Sequence, residues 1–111
     1  MTDKILVHTT CSSEDEALRI AGRLVELRLA ACVAITPGVR SIYRWKGARE
    51  QSTECALALK TRRDLFPAVA DELRKLHSYE VPELVAVPIV DGGADYLAWI
   101  DESLTVPETL P

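Results

Sequence analysis

The stretch "LHSYEVPE", Leu76 to Glu83, sets a histidine and a tyrosine beside two carboxylates and a proline. His77 is one of only two histidines in the chain, and a neutral imidazole is a ligand for soft and borderline metals. Glu80 and Glu83 bracket Val81-Pro82. The proline stiffens the backbone between them, so the two carboxylates are held rigidly. Paired carboxylates can do acid/base work or hold a hard cation; more often they are surface charges facing Lys or Arg. The histidine also has a simpler use. In the last turn of a helix it favours the dipole and the free carbonyls without binding anything.

The remaining chemistry is sparse. The three cysteines, Cys11, Cys32 and Cys55, are odd in number and widely spaced, with no C-x-x-C pair or zinc-ribbon pattern. In a reducing cytoplasm they stay thiols. Cys32 and Cys55 lie in apolar strand contexts that predict small, inert core residues. No G-x-G-x-x-G or Walker pattern exists to cradle a phosphate.

These residues must be positioned by a chain of 111 residues with 48% hydrophobic and 27% charged side chains, the profile of one globular domain over residues 1–111. A net charge of -4 argues against a nucleic-acid surface. Arg62-Arg63 reads as a small solvated patch. The early acidic residue and short apolar run of "MTDKILVHTT" do not form a secretory signal, and no stretch reaches the roughly 20 apolar residues of a membrane span. The expectation is a cytoplasmic protein with neither nucleic-acid nor membrane partners.

"KILVHTT" predicts a first strand, and "SEDE" opens a helix to about Arg28, with Ser13 as N-cap and Glu16 as the capping-box partner. "AACVAI" starts a second strand that Pro37-Gly38 bends. "KGAR" turns the chain into a third strand, Glu50 to Thr61, with Cys55, Leu57 and Leu59 on one face and Glu54, Ala56, Ala58 and Lys60 on the other. A helix from about Asp64 tolerates Pro67 in its first turn and shows Leu65, Val69, Leu73 and Leu76 in register. "ELVAVPIV" predicts a fourth strand, "ADYLAWIDES" a third helix, and about 104–111 an irregular tail. The order is β-α-β-β-α-β plus a helix: an α+β, ferredoxin-like split βαβ domain with a long β-hairpin arm.

The arm has a consequence for assembly. Extended, residues 32 to 45 span roughly 43 Å at about 3.3 Å per residue, longer than the roughly 34 Å diameter of a compact domain of this size. The tip, with Ile42, Tyr43 and Trp45, then projects as an apolar sheet edge, which a cyclic oligomer would cover. The alternative is a hairpin that curls over its own sheet. Trp45 and Trp99 read as core or interface anchors.

The blocks "TTC" (9–11), "RLAACV" (28–33), "SIYRWKG" (41–47), "ALKT" (58–61), "LHSYEVPEL" (76–84) and "YLAWI" (96–100) together resemble the CutA divalent-cation tolerance family, from about Ile5 to Ser103. The resemblance implies a ferredoxin-like homotrimer whose hairpins pair with neighbouring subunits. It also implies tolerance to copper and other divalent cations, copper binding, and no settled enzymatic reaction. The family's proposed metal ligands, a cysteine ending the first strand and a histidine before the tyrosine, fall on Cys11 and His77 here. Leu76 and Ser78 stand where many members carry a second histidine or a proline. A thiolate with an imidazole suits copper, but a strand end and a helix end need not meet within one subunit. Tyr43, Trp45, Glu54, Lys60, Tyr79, Glu80 and Glu83 are expected to line a polar cleft between subunits, the default place for a ligand. An ion-paired interface would use the same residues. Three functions follow: a copper or divalent-cation tolerance protein with no cofactor needed for folding; a trimeric ligand-sensing scaffold resembling PII proteins; and, against the lack of a nucleophile–base–orienter set, an enzyme.

Overall fold

The structure, a computed structural model, describes residues 2–106. It runs β1 (Lys4–Cys11), α1 (Glu14–Glu26), β2 (Cys32–Trp45), β3 (Ala48–Arg62), a single 3-10 turn (Arg63–Leu65), α2 (Phe66–Leu76), β4 (Val85–Pro88) and α3 (Ala94–Ser103). The strands form one antiparallel sheet in the order β2-β3-β1-β4, the arrangement the βαββαβ pattern predicts.

The core lies between the helices and one face of the sheet. Ile5, Val7 and Cys11 of β1 and Cys55, Leu57 and Leu59 of β3 meet Ile20 and Leu24 of α1 and Val69 and Leu73 of α2. Each large aliphatic side chain buried in this way contributes about 1.5–3 kcal/mol. Ile100 and Leu104 join the same cluster, so the tail expected from residue 104 is anchored at its first residue. Residues 107–111 lie outside the described part.

Three boundaries differ from the expectation. The arm turns on two residues, Lys46 (φ 50°) and Gly47 (φ 82°), not four. Positive φ at both positions suits the twist of the flanking strands, so Ala48 and Arg49 pair directly with Trp45 and Arg44. Helix α1 ends at Glu26, two residues early, because Arg28 (φ 60°) leaves the helical region. Strand β4 covers only Val85–Pro88; Pro88, with no N–H to donate, is tolerated because β4 is an edge strand, and beyond it the Ile89 N–H still donates to the Lys4 carbonyl at 3.0 Å. The bend at Pro37-Gly38 is a β-bulge: Thr36 pairs with Ala56 and Val39 with Glu54, so β2 uses one residue more than β3.

Arg62 is not solvated as expected. It is buried and binds Asp64 (3.2 Å), Asp101 (3.1 Å) and the Thr105 carbonyl (2.7 Å). Lys4, also buried, shares Asp101 at 3.2 Å. A buried guanidinium needs such partners to offset its lost hydration, and here they tie α3 to the sheet.

The arm projects. The molecule is 44 Å long against 31 and 23 Å across, and Ile42 (62%), Tyr43 (44%) and Trp45 (38%) stay exposed at its end. Trp99 is also exposed and stacks near Tyr96 at 5.4 Å. Neither tryptophan is a core residue of the chain.

Candidate functional site

The segment after α2 decides what "LHSYEVPE" does. Helix α2 ends at Leu76, and His77 is its C-cap, with its N–H on the Leu73 carbonyl at 2.9 Å. The imidazole turns inward and is fully buried. Its Nε2–H donates to the Thr10 carbonyl at 2.6 Å, and Nδ1 accepts the Tyr79 N–H at 3.1 Å. Those two bonds fix a neutral tautomer and use both ring nitrogens. Cys11 is buried too, and its thiol donates to the Ser13 carbonyl at 3.4 Å. Burial pushes the Cys11 thiol pKa up, and the nearby charges of Glu16 and Glu54 add to it.

The end of β1 and the end of α2 therefore meet within one subunit. Both candidate ligands are nonetheless committed elsewhere. The histidine has no lone pair to offer, and the thiol is held protonated, whereas a metal needs neutral, open imidazole and thiolate. Among the described residues, no group of three or more His, Cys, Asp or Glu converges to hold a metal ion. As arranged, Cys11 and His77 do not fit one.

Glu16 is the residue that sequence reasoning undervalued. Ser13 Oγ accepts the Glu16 N–H at 3.1 Å, as a capping box requires. The Glu16 carboxylate does not return to Ser13. One oxygen takes the Ser12 N–H (3.2 Å) and hydroxyl (2.8 Å), and the other takes the Ser78 N–H (2.8 Å). Burial would raise its pKa; the Ser78 and Ser12 donors outweigh that and hold it at about 2. Glu16 thus staples the start of α1 to the segment that leaves α2.

That segment forms one wall of a cleft of about 810 Å³. Ser78, Tyr79, Glu80, Val81, Pro82 and Glu83 face the arm, which contributes Ser41, Ile42, Tyr43, Trp45 and Glu54, with Thr10 also on the surface. Six of the seven residues expected to line a cleft between subunits line this cleft within one chain. Lys60 does not. The antiparallel register sets it opposite Cys32, at the other end of the hairpin, where its ammonium lies 3.9 Å from the Cys32 sulfur and 5.7 Å from the Tyr96 ring centre. Among the described residues, no lysine or arginine lines the cleft.

Glu54 forms the buried part of the wall, only 7% exposed. It accepts the Tyr79 hydroxyl at 2.6 Å. Burial, then this bond and the Glu54 charge, push the Tyr79 phenol well above its ordinary range, so it remains a donor. The family model described as "CutA1 divalent ion tolerance protein" matches residues 5–103.

The chain belongs to the CutA1 divalent ion tolerance family.

The divalent-cation tolerance protein CutA of Thermus thermophilus is 46% identical over 103 residues, covering 93% of this chain and 98% of that protein. Human CutA is 45% identical over 91 residues, which span 82% of this chain but 51% of the human protein. A solved CutA from Archaeoglobus fulgidus, described as periplasmic, superposes with a TM-score of 0.88 at 44% identity, covering 90% of this chain and 97% of that one. Among the described residues, no helix is long and apolar enough to cross a membrane.

Proposed function

We propose that the protein is a homotrimeric, cytoplasmic divalent-cation tolerance protein that binds copper or another divalent cation and does not act as an enzyme. The observation that carries the cation reading is the cleft with Glu54, Glu80 and Glu83 on its walls and no cationic side chain among them. Glu80 and Glu83 are exposed and form no ion pair with any described residue. Such a cleft concentrates cations by its field alone, and a hard cation that keeps part of its water shell needs only one or two carboxylates. The names of the Thermus and Archaeoglobus relatives support the physiological role. The free thiols Cys11, Cys32 and Cys55 suit a reducing compartment.

The trimer reading rests on the arm. A hairpin that leaves Ile42, Tyr43 and Trp45 in water offers both an unpaired strand edge and an apolar surface, and a closed ring of copies covers both. Light scattering is expected to give three times the 12.3 kDa chain mass; a monomer at micromolar concentration overturns the assembly. Trp45→Ala is expected to lower the melting temperature and loosen the trimer together, by about 3–5 kcal/mol if the ring is fully buried between copies.

Calorimetric titration with copper tests the cation reading. Glu83→Gln and Glu54→Gln are expected to weaken binding while Cys11→Ser and His77→Ala leave it unchanged in any variant that keeps its trimer. A loss confined to Cys11→Ser and His77→Ala would return the site to those two residues.

A further inference from the structure

The chain has a net charge of -4, yet residues 40–49 carry Arg40, Arg44, Lys46 and Arg49 and no carboxylate. All four are exposed, and none forms an ion pair with a described residue. The register gathers the three arginines. Arg44 pairs with Arg49, Ile42 with Gln51 and Arg40 with Thr53, and cross-strand partners share a face. By the pleat, that face is opposite the one that carries Ser41, Tyr43 and Glu54. Like charges set directly across a ladder repel, so Arg44 and Arg49 destabilise the arm of an isolated chain.

The rim of the cleft has the reverse sign. Glu80 and Glu83 are exposed and equally without an ion pair among the described residues, with Val81 and Pro82 between them. The two surfaces share one layout: a charge at either end and an apolar centre. Ile42, between Arg40 and Arg44, is 62% exposed; Val81, between the glutamates, is 66% exposed. Arg40 and Arg44 lie roughly 13 Å apart along an extended strand. Glu80 and Glu83 are at most about 11 Å apart, and long arginine side chains absorb the difference. Within one chain the two surfaces do not pair. A closed ring of three copies needs a heterologous contact, in which one patch of each subunit meets a different patch of the next. The chain carries two such patches, opposite in sign and matched in pattern.

We infer that the basic face of the arm seats on the cleft rim of the neighbouring copy. Arg40, Arg44 and Arg49 meet the partner subunit's Glu80 and Glu83, and Ile42 rests on the partner subunit's Val81 and Pro82. Each rim is thus completed by arginines of the next subunit. Guanidinium and carboxylate can form two parallel hydrogen bonds, which give the contact direction as well as charge. The contact rests on the trimer reading and assigns the surfaces that close the ring. An incoming divalent cation then competes with the neighbour's arginines for Glu80 and Glu83.

The test is subunit exchange between labelled assemblies of the full chain at low ionic strength. An arm variant carries Arg44→Glu and Arg49→Glu; a rim variant carries Glu80→Arg and Glu83→Arg. All four positions are exposed. Each variant alone is expected to exchange subunits about tenfold or more faster than the wild type, since a close charge pair across an interface is worth at least that much. The variant with all four substitutions, its signs swapped, is expected to return to slow exchange. In an equimolar mixture of arm and rim variants, native mass spectrometry is expected to find mixed trimers above their chance frequency, because the new glutamates meet the new arginines only across a subunit boundary. Unchanged exchange in both variants, a swapped variant as loose as either parent, or mixed trimers at chance frequency overturns the inference. Light scattering on the wild type keeps the two readings apart. A trimer whose exchange ignores these charges removes only this contact, whereas a wild-type monomer removes the trimer and the contact with it.

Discussion

Glu16 and Glu54 are two buried glutamates that sit on opposite sides of the same segment, residues 77–83. Their burial is nearly equal, 4% and 7% exposed. Their surroundings are not. Glu16 is saturated by three donors from Ser12 and Ser78, all drawn from the chain itself. Glu54 has the Tyr79 hydroxyl and an open cleft. A carboxylate that the fold satisfies completely is part of the fold. One that the fold satisfies by half keeps capacity for something else, and the energetic consequence of removing each should differ accordingly.

The largest effect is expected at Glu16. Its folded pKa of about 2 lies below its ordinary 4.5. The stability it contributes is therefore fully present above about pH 4.5 and is lost as pH falls from there towards 2. The shift corresponds to about 3 kcal/mol. Glu16→Gln should destabilise by about 2–3 kcal/mol at neutral pH and flatten the loss of stability between pH 5 and 2, read from urea unfolding. A variant with the wild-type acid profile would break the comparison. Ser12→Ala removes one donor of the set and should cost about 1–2 kcal/mol, with a smaller shift of the same acid limb. Glu54→Gln should be the mildest, below about 1 kcal/mol in urea midpoint, because the amide oxygen still accepts from Tyr79 and no ion pair is lost. A cost at Glu54 equal to that at Glu16 would show that both are structural.

Much of this layout was legible in the sequence. Alternation fixed the inner face of β3, Cys55, Leu57 and Leu59, all buried, and Ser13 with Glu16 marked the start of α1 at the observed residue. The length of the arm was readable from strand spacing alone. What was hidden depends on contacts across long stretches of chain. His77 carries a ligand's side chain, but its ring is claimed by the Thr10 carbonyl, 67 residues away. Glu16 looks like a local cap, while its strongest new partner is Ser78, 62 residues on. Lys60 shares a sheet face with Glu54, as alternation predicts, but period-two spacing says nothing of which end of a long hairpin a cleft occupies. Arg62 reads as surface because nothing near it in sequence announces Asp101.

The bulge at Pro37-Gly38 acts as a phase switch for the arm. Below it, the even residues of β2, Cys32, Ala34 and Thr36, sit opposite Lys60, Ala58 and Ala56; beyond it, the odd residues, Val39, Ser41 and Tyr43, sit opposite Glu54, Ser52 and Glu50. Cross-strand partners share a face, so the extra residue decides which half of an alternating sequence looks towards Glu54. Unbroken pairing beyond Thr36 would continue the even series and set Gly38 opposite Glu54, with Arg40 and Arg44 taking the places of Ser41 and Trp45 along that face. Two guanidinium groups would then neutralise the acidic wall from within. One inserted residue, far from any carboxylate in the chain's own order, keeps the wall's charge uncancelled.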